Sequence, residues 1–279
     1  MNTIGIIQGR LTLPHTGELQ CFPADHWQKE FELAENCGFH AIELIFEKQK
    51  NTGNPLWTSK GIDELKRLSD KHHIIIPSVC ADYFMSNPLT VSRLERNSDT
   101  LVVLSFLLKQ CEALNVKSLV IPFFESGEIT SETHIKYLVQ NLVAIQKEIE
   151  CANVKIVLET SLPGKAMKSL MERLENVPSG ICYDTGNTTA FGHQVGSDIQ
   201  LLSSYIVHVH IKDRQKNGGP NVFLGTGGTD FKDAFRALRT IGYDGPMILE
   251  TVRGNDPIAT AKQHLQFVQD GIKRQAGVA

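Results

Sequence analysis

Lys155-Ile-Val-Leu-Glu159 and Gly180-Ile-Cys-Tyr-Asp184 share one design: a short apolar run that stops on a carboxylate. Between them, residues 165–175 carry apolar side chains at helical spacing. A strand, a helix and a second strand in that order form the unit of a parallel sheet.

Working outward from this unit, the same alternation runs through the whole chain. Strands are predicted over 4–8, 41–45, 74–80, 118–122, 155–159, 180–184, 205–211 and 247–250. Helices are predicted near 25–37, 61–72, 92–115, 131–150, 165–175, 197–203, 231–241 and 257–274. Asp25 stands before the apolar spacing Trp27, Phe31 and Ala34, and Gly38 follows as a stop. Ser131 precedes Glu132, an anion placed where the helix dipole favours it. Asp230 is the predicted cap of the segment beginning at Phe231, with Gly242 as its end.

Eight strands alternating with eight helices, opening on a strand and closing on a helix, predict an α/β fold. Specifically, they predict a (β/α)8 TIM barrel forming one domain over residues 1–279. The rival, a doubly wound open sheet, normally carries a glycine-rich phosphate turn after its first strand. Gly5, Gly9 and Gly17 lack that spacing.

Composition narrows the function classes. With 41% hydrophobic and 21% charged residues, the chain has the make-up of a globular protein. A formal net charge of -3 provides no broad basic surface for nucleic acid. No apolar run reaches the roughly 18 residues of a membrane span. The start, MNTIGIIQGR, does not read as a secretory signal. Six cysteines without a C-x-x-C pair imply reduced thiols and a cytoplasmic setting.

Strand residues alternate faces, so one parity must enter the barrel. If Val157 and Glu159 point inward, Ile156 and Leu158 face the helices. The same phase turns Cys182 with Asp184, His208 with His210, and Ile248 with Glu250 into the interior. Glu159, Asp184, His210 and Glu250 then converge at the mouth, where barrel enzymes keep their reactive groups. Three carboxylates and an imidazole so placed repel one another unless a cation joins them. The donor set suits Mn²⁺, Mg²⁺ or Co²⁺ better than a thiolate-seeking ion, and Zn²⁺ is a further candidate.

Five segments resemble one family. They are Leu-Glu159-Thr, Tyr-Asp184-Thr-Gly-Asn187, His208-Val-His210-Ile-Lys-Asp213, Leu-Gly225-Thr-Gly227-Gly-Thr-Asp230-Phe231 and Tyr243-Asp-Gly-Pro246-Met-Ile-Leu-Glu250. Pro77-Ser-Val-Cys80 and Gly38-Phe39-His-Ala-Ile-Glu43 also fit. Together they resemble the xylose-isomerase-like sugar-phosphate isomerases and epimerases, most of all the L-ribulose-5-phosphate 3-epimerase and tagatose 3-epimerase branches. The resemblance implies one divalent metal ion, manganese first, held by Glu159, Asp184, His210 and Glu250. It also implies that Glu159 and Glu250 move protons on opposite faces of a sugar or sugar phosphate. Tagatose-type enzymes carry histidine where this chain has Asn187, which leans toward the ribulose-phosphate branch. An arginine expected shortly after the metal histidine has two candidates, Arg214 and Lys216.

Other positions have two readings each. His208, one layer deeper than His210, is expected to support the site rather than bind the ion. Asp213 either orients His210 or makes a loop salt bridge. Gly225, Gly227 and Gly228 either admit a phosphate or turn the chain, and Glu43 either touches substrate hydroxyls or lines the rim. Arg10 and Arg253 either hold a phosphate or balance carboxylates. The leading expectation is a ketose or ketose-phosphate epimerase. Aldose–ketose isomerase and metal-dependent dehydratase are its alternatives, followed by apurinic endonuclease and non-catalytic sugar binding. A homo-oligomer is left open.

Overall fold

The computed structural model describes residues 2–13, 17–94, 99–275 and 277. Eight parallel strands close in sequence order: β1 (Ile4–Ile7), β2 (Ala41–Phe46), β3 (Ser78–Ala81), β4 (Ser118–Phe123), β5 (Lys155–Thr160), β6 (Ser179–Asp184), β7 (Ile206–Ile211) and β8 (Met247–Leu249). β8 returns to pair with β1, Gly5 opposite Ile248, so the sheet has no free edge. The predicted barrel is the observed one.

Around it lie α1 (Lys29–Cys37), α2 (Ser59–His72), α3 (Tyr83–Ser86), α4 (Thr100–Ala113), α5 (Glu132–Ala144), α6 (Gln146–Ala152), α7 (Gly164–Arg173), α8 (Thr185–Ala190), α9 (Val195–Leu201), α10 (Phe231–Thr240) and α11 (Pro257–Gln275). Capping chemistry sets several ends. The Ser131 hydroxyl accepts from the His134 amide and the Asp230 carboxylate from the Asp233 amide, each satisfying a first-turn donor. Gly38 closes α1 at φ 89°. Asp25 does not begin α1; the helix starts four residues later, with Gln28 as its cap residue.

Three further segments depart most from the sequence reading. The predicted strand 74–80 shortens to Ser78–Ala81, preceded by a lone bridge between Ile75 and Ala41. Pro77 has no amide to give the ladder, and Ile75 is half-exposed. The predicted helix 131–150 breaks at Ile145 (φ -118°, ψ 15°) into α5 and α6. The predicted helix 92–115 begins only at Thr100, and residues 95–98 lie outside the described ones. Among the described residues, no helix is long and apolar enough to cross a membrane.

The interior shows the expected parity. Ile7, Ala41, Ile45, Cys80, Val120, Val157, Cys182 and Ile248 fill the barrel as one apolar cluster. Ile156, Leu158, Ile181, Tyr183, Val209, Ile211 and Leu249 belong to a second, larger cluster between strands and helices. Each strand is therefore buried on both faces, and the side chain after the last inward apolar residue emerges at the mouth.

Candidate metal centre and active site

β5, β6 and β7 carry Glu159, Asp184 and His210 on their inward faces, and Glu250 follows β8 directly. Register brings them level: Asp184 lies beside His210, and His210 beside Ile248. All four are buried, and one donor atom from each lies within 4.8 Å of the others.

His210 is fixed from below. Its Nε2 stands 2.9 Å from Glu43 Oε1, so that nitrogen carries the proton given to the carboxylate. Nδ1 points at Glu250 Oε2 at 3.1 Å and Glu159 Oε2 at 3.6 Å, where its lone pair would serve a cation. Among the described residues it has no hydrogen-bond partner, a costly state for a buried nitrogen. A bare nitrogen ringed by three carboxylates is the donor set of a hard divalent cation, and the residues fit one.

Glu43, read from the sequence as either a substrate contact or a rim residue, does not lie on the rim. It is fully buried, accepts from Ser78 Oγ at 2.6 Å, and lies 2.8 Å from His208 Nε2. Burial would raise its pKa, but the imidazoles of His210 and His208 outweigh that and hold it well below the usual carboxylate range. His208, expected to support the site, reaches Glu43 and is not among the four donors at the mouth. Cys182, His208 and His210 form a second group of close donors, one layer deeper. Burial holds the Cys182 thiol protonated, so that group lacks a thiolate.

The two glutamates sit in different environments. Burial, aided by Asp184 and Glu250 and opposed by His210, pushes the Glu159 carboxyl up to about 7. Burial acts on Glu250 too, but Lys212, His210 and Arg10 reverse it and keep Glu250 ionised.

Asn187 and Arg214 extend the site. Asn187 Nδ2 donates to Glu159 Oε1 (2.9 Å) and Asp184 Oδ2 (3.1 Å), and its Oδ1 accepts from Arg214 Nη1 at 2.9 Å. Both residues line a cavity of about 470 Å³ together with Glu159, Lys212 and Glu250. Lys216 is exposed and does not line it, so Arg214 is the arginine brought to the site.

The groups read as candidates for a phosphate are engaged within the chain. Asp213 turns away from His210 and accepts from the amides of Gly225 (2.9 Å), Gly227 (2.9 Å) and Thr229 (3.1 Å). The glycine-rich loop therefore encloses the chain's own carboxylate. A Cβ at Gly227 would lie 2.4 Å from Asp213 Oδ1, which explains the glycine. Arg10 and Arg253 are spent on backbone: Arg253 holds the carbonyls of Gly9, Glu18 and Leu19, and Arg10 those of Thr251 and Leu19. Arg10 Nη2 also lies 3.9 Å from Glu250 Oε1, so it does balance a carboxylate.

Two residues escaped the sequence reading. Asp82 follows β3 at the inward parity of Ser78 and Cys80 and lines the cavity; burial, with Glu250 next, pushes it up to about 7. Extending the parity count one step past β3 would have found it. Lys212 continues the series His208, His210 in the same way, its Nζ 2.9 Å from Asp184 Oδ2 and 2.8 Å from Glu250 Oε1.

Residues 31–270 match the family described as xylose isomerase-like TIM barrel. The chain belongs to that family. It is 21% identical over 252 residues to L-ribulose-5-phosphate 3-epimerase UlaE of Escherichia coli, covering 87% of this chain and 89% of that one. Its fold is similar to that of L-ribulose 3-epimerase (TM-score 0.79, 16% identity, 99% of this chain and 96% of that one). D-psicose 3-epimerase from Clostridium cellulolyticum H10, solved with D-tagatose, is similar too (TM-score 0.77, 16% identity, 97% and 99%).

Proposed function

We propose that this protein is a metal-dependent epimerase of a ketose or ketose phosphate, using Glu159 and Glu250 as the two proton-transfer groups. The observation that carries this reading is the convergence of Glu159, Asp184, His210 and Glu250 donor atoms within 4.8 Å at the cavity floor. Relatives and structural neighbours named as 3-epimerases support the reaction class. Six free cysteines support a reducing compartment such as the cytoplasm.

Glu159, Asp184, His210 and Glu250 would hold the ion, with Mn²⁺ the first candidate. A divalent ion supplies Lewis acidity that makes the carbon beside a carbonyl acidic enough to deprotonate. One of Glu159 and Glu250 removes that proton and the other returns one to the opposite face, inverting the carbon. Asn187 steadies the Glu159 carboxyl, and Arg214 steadies Asn187.

The test is turnover of ketoses and ketose phosphates with Mn²⁺ in D₂O. The expected product is inverted at one carbon and carries solvent deuterium there. Glu159→Gln and Glu250→Gln should each lose at least about 100-fold in kcat while retaining metal. A product without deuterium would replace two-base proton transfer with hydride shift and point to an aldose–ketose isomerase. Loss of water from the substrate would point to a dehydratase.

A further inference from the structure

We propose that Lys212 is the built-in counter-cation of this centre: its ammonium bridges Asp184 and Glu250, holding the carboxylates assembled and sharing their charge with the metal. The inference rests on the proposed metal reading for the identity of the ligands.

The fold places Lys212 with unusual care. The Thr185 hydroxyl donates to the Lys212 carbonyl at 2.7 Å and accepts from the Lys212 amide at 3.0 Å, tying the end of β7 to the end of β6. The lysine stem then crosses Gly186. A Cβ there would stand 2.7 Å from Lys212 Cγ and 3.0 Å from Lys212 Cβ, so only glycine leaves the stem its path. The ammonium ends between Asp184 Oδ2 and Glu250 Oε1, within 2.9 Å of both.

The other carboxylate oxygens face elsewhere. Asp184 Oδ1 accepts the Asn187 amide, and Glu250 Oε2 faces His210 Nδ1. Lys212 thus holds one oxygen of each ligand. Glu159, Asp184 and Glu250 carry three negative charges when ionised, and a divalent ion cancels two of them. Lys212 cancels the third. Among the described residues it is the one cation in ion-pair contact with Asp184, and Arg10 reaches Glu250 only at 3.9 Å.

A fixed cation beside a metal site has two measurable consequences. It stabilises the protein before the ion arrives, and it repels the ion when it comes. A lysine that merely fills space does neither. The experiment compares wild type with Lys212→Met at pH 8, by thermal melting with and without MnCl₂ and by calorimetric titration of Mn²⁺.

The expected result is a Tm loss that is large in chelator and mostly recovered with Mn²⁺. The Mn²⁺ Kd should be tighter by at least about tenfold. Lys212→Arg should restore the wild-type gap between the two melts. Equal Tm losses in both conditions with an unchanged or weaker Kd would overturn the inference. Should Lys212→Met fail to fold even with Mn²⁺, Gly186→Ala displaces the stem while keeping the charge, and the same two readouts apply. A wild type that binds no Mn²⁺ would instead overturn the metal reading itself.

Discussion

His210 Nε2 and Glu43 Oε1 meet at 2.9 Å inside the barrel although 167 residues separate them in the chain. This contact decides which imidazole nitrogen offers its lone pair at the mouth. Glu43→Gln can present its amide NH₂ to Nε2 and lets the ring turn or change tautomer. Mn²⁺ affinity measured by calorimetry should fall about 10- to 100-fold. An unchanged Kd would show that packing alone orients the ring.

Asp213 gathers three part-buried loop amides, so its loss leaves them to solvent. Asp213→Ala should cost roughly 1–2 kcal/mol in urea unfolding, the scale of a few lost hydrogen bonds at a part-exposed site. Gly227→Ala should destabilise as well, because its methyl group would meet Asp213 Oδ1 at 2.4 Å. A stable Asp213→Ala with impaired binding of ketose phosphates alone would return the loop to a phosphate role.

Arg253 ties Gly9, Glu18 and Leu19 to the strand end after β8. Arg253→Ala should therefore lower Tm and change KM for phosphorylated and unphosphorylated ketoses alike. A rise in KM confined to phosphorylated substrates would assign it to phosphate after all.

His264, on α11, is buried beside Phe223, and its Nε2 has no hydrogen-bond partner among the described residues. Burial lowers its pKa to about 4. The unfolded chain, with an ordinary histidine near 6.5, binds the proton more tightly, so the fold loses stability as pH falls from about 6.5 toward 4. The loss should amount to roughly 2 kcal/mol after allowance for solvent screening. His264→Leu should flatten that part of the stability–pH curve, and an unaltered slope would show that other groups produce it.

Much of the barrel was legible because alternation is local. Val-Leu-Glu159 and Ile-Cys-Tyr-Asp184 state which side chain enters and which packs outward, and closing the sheet need only respect that phase. The Ile145 break gave no signal, because neither proline nor glycine marks it.

What the chain determined alone was therefore the order of strands and helices, the inward parity, and which strand ends carry carboxylates and imidazole. Tertiary structure decided what each polar group faces. Asp213, three positions beyond the inward His210 of β7, gave no hint that it would be captured by amides 12 to 16 residues later. Nor could spacing reveal that Arg10 and Arg253 would be consumed by carbonyls, or that Lys212 would end between Asp184 and Glu250. The physical reason is that periodicity follows from backbone geometry residue by residue. Charge and hydrogen-bond partners are chosen only when closure brings distant strand ends within about 3 Å of each other in a dry interior, where every polar group must find a mate.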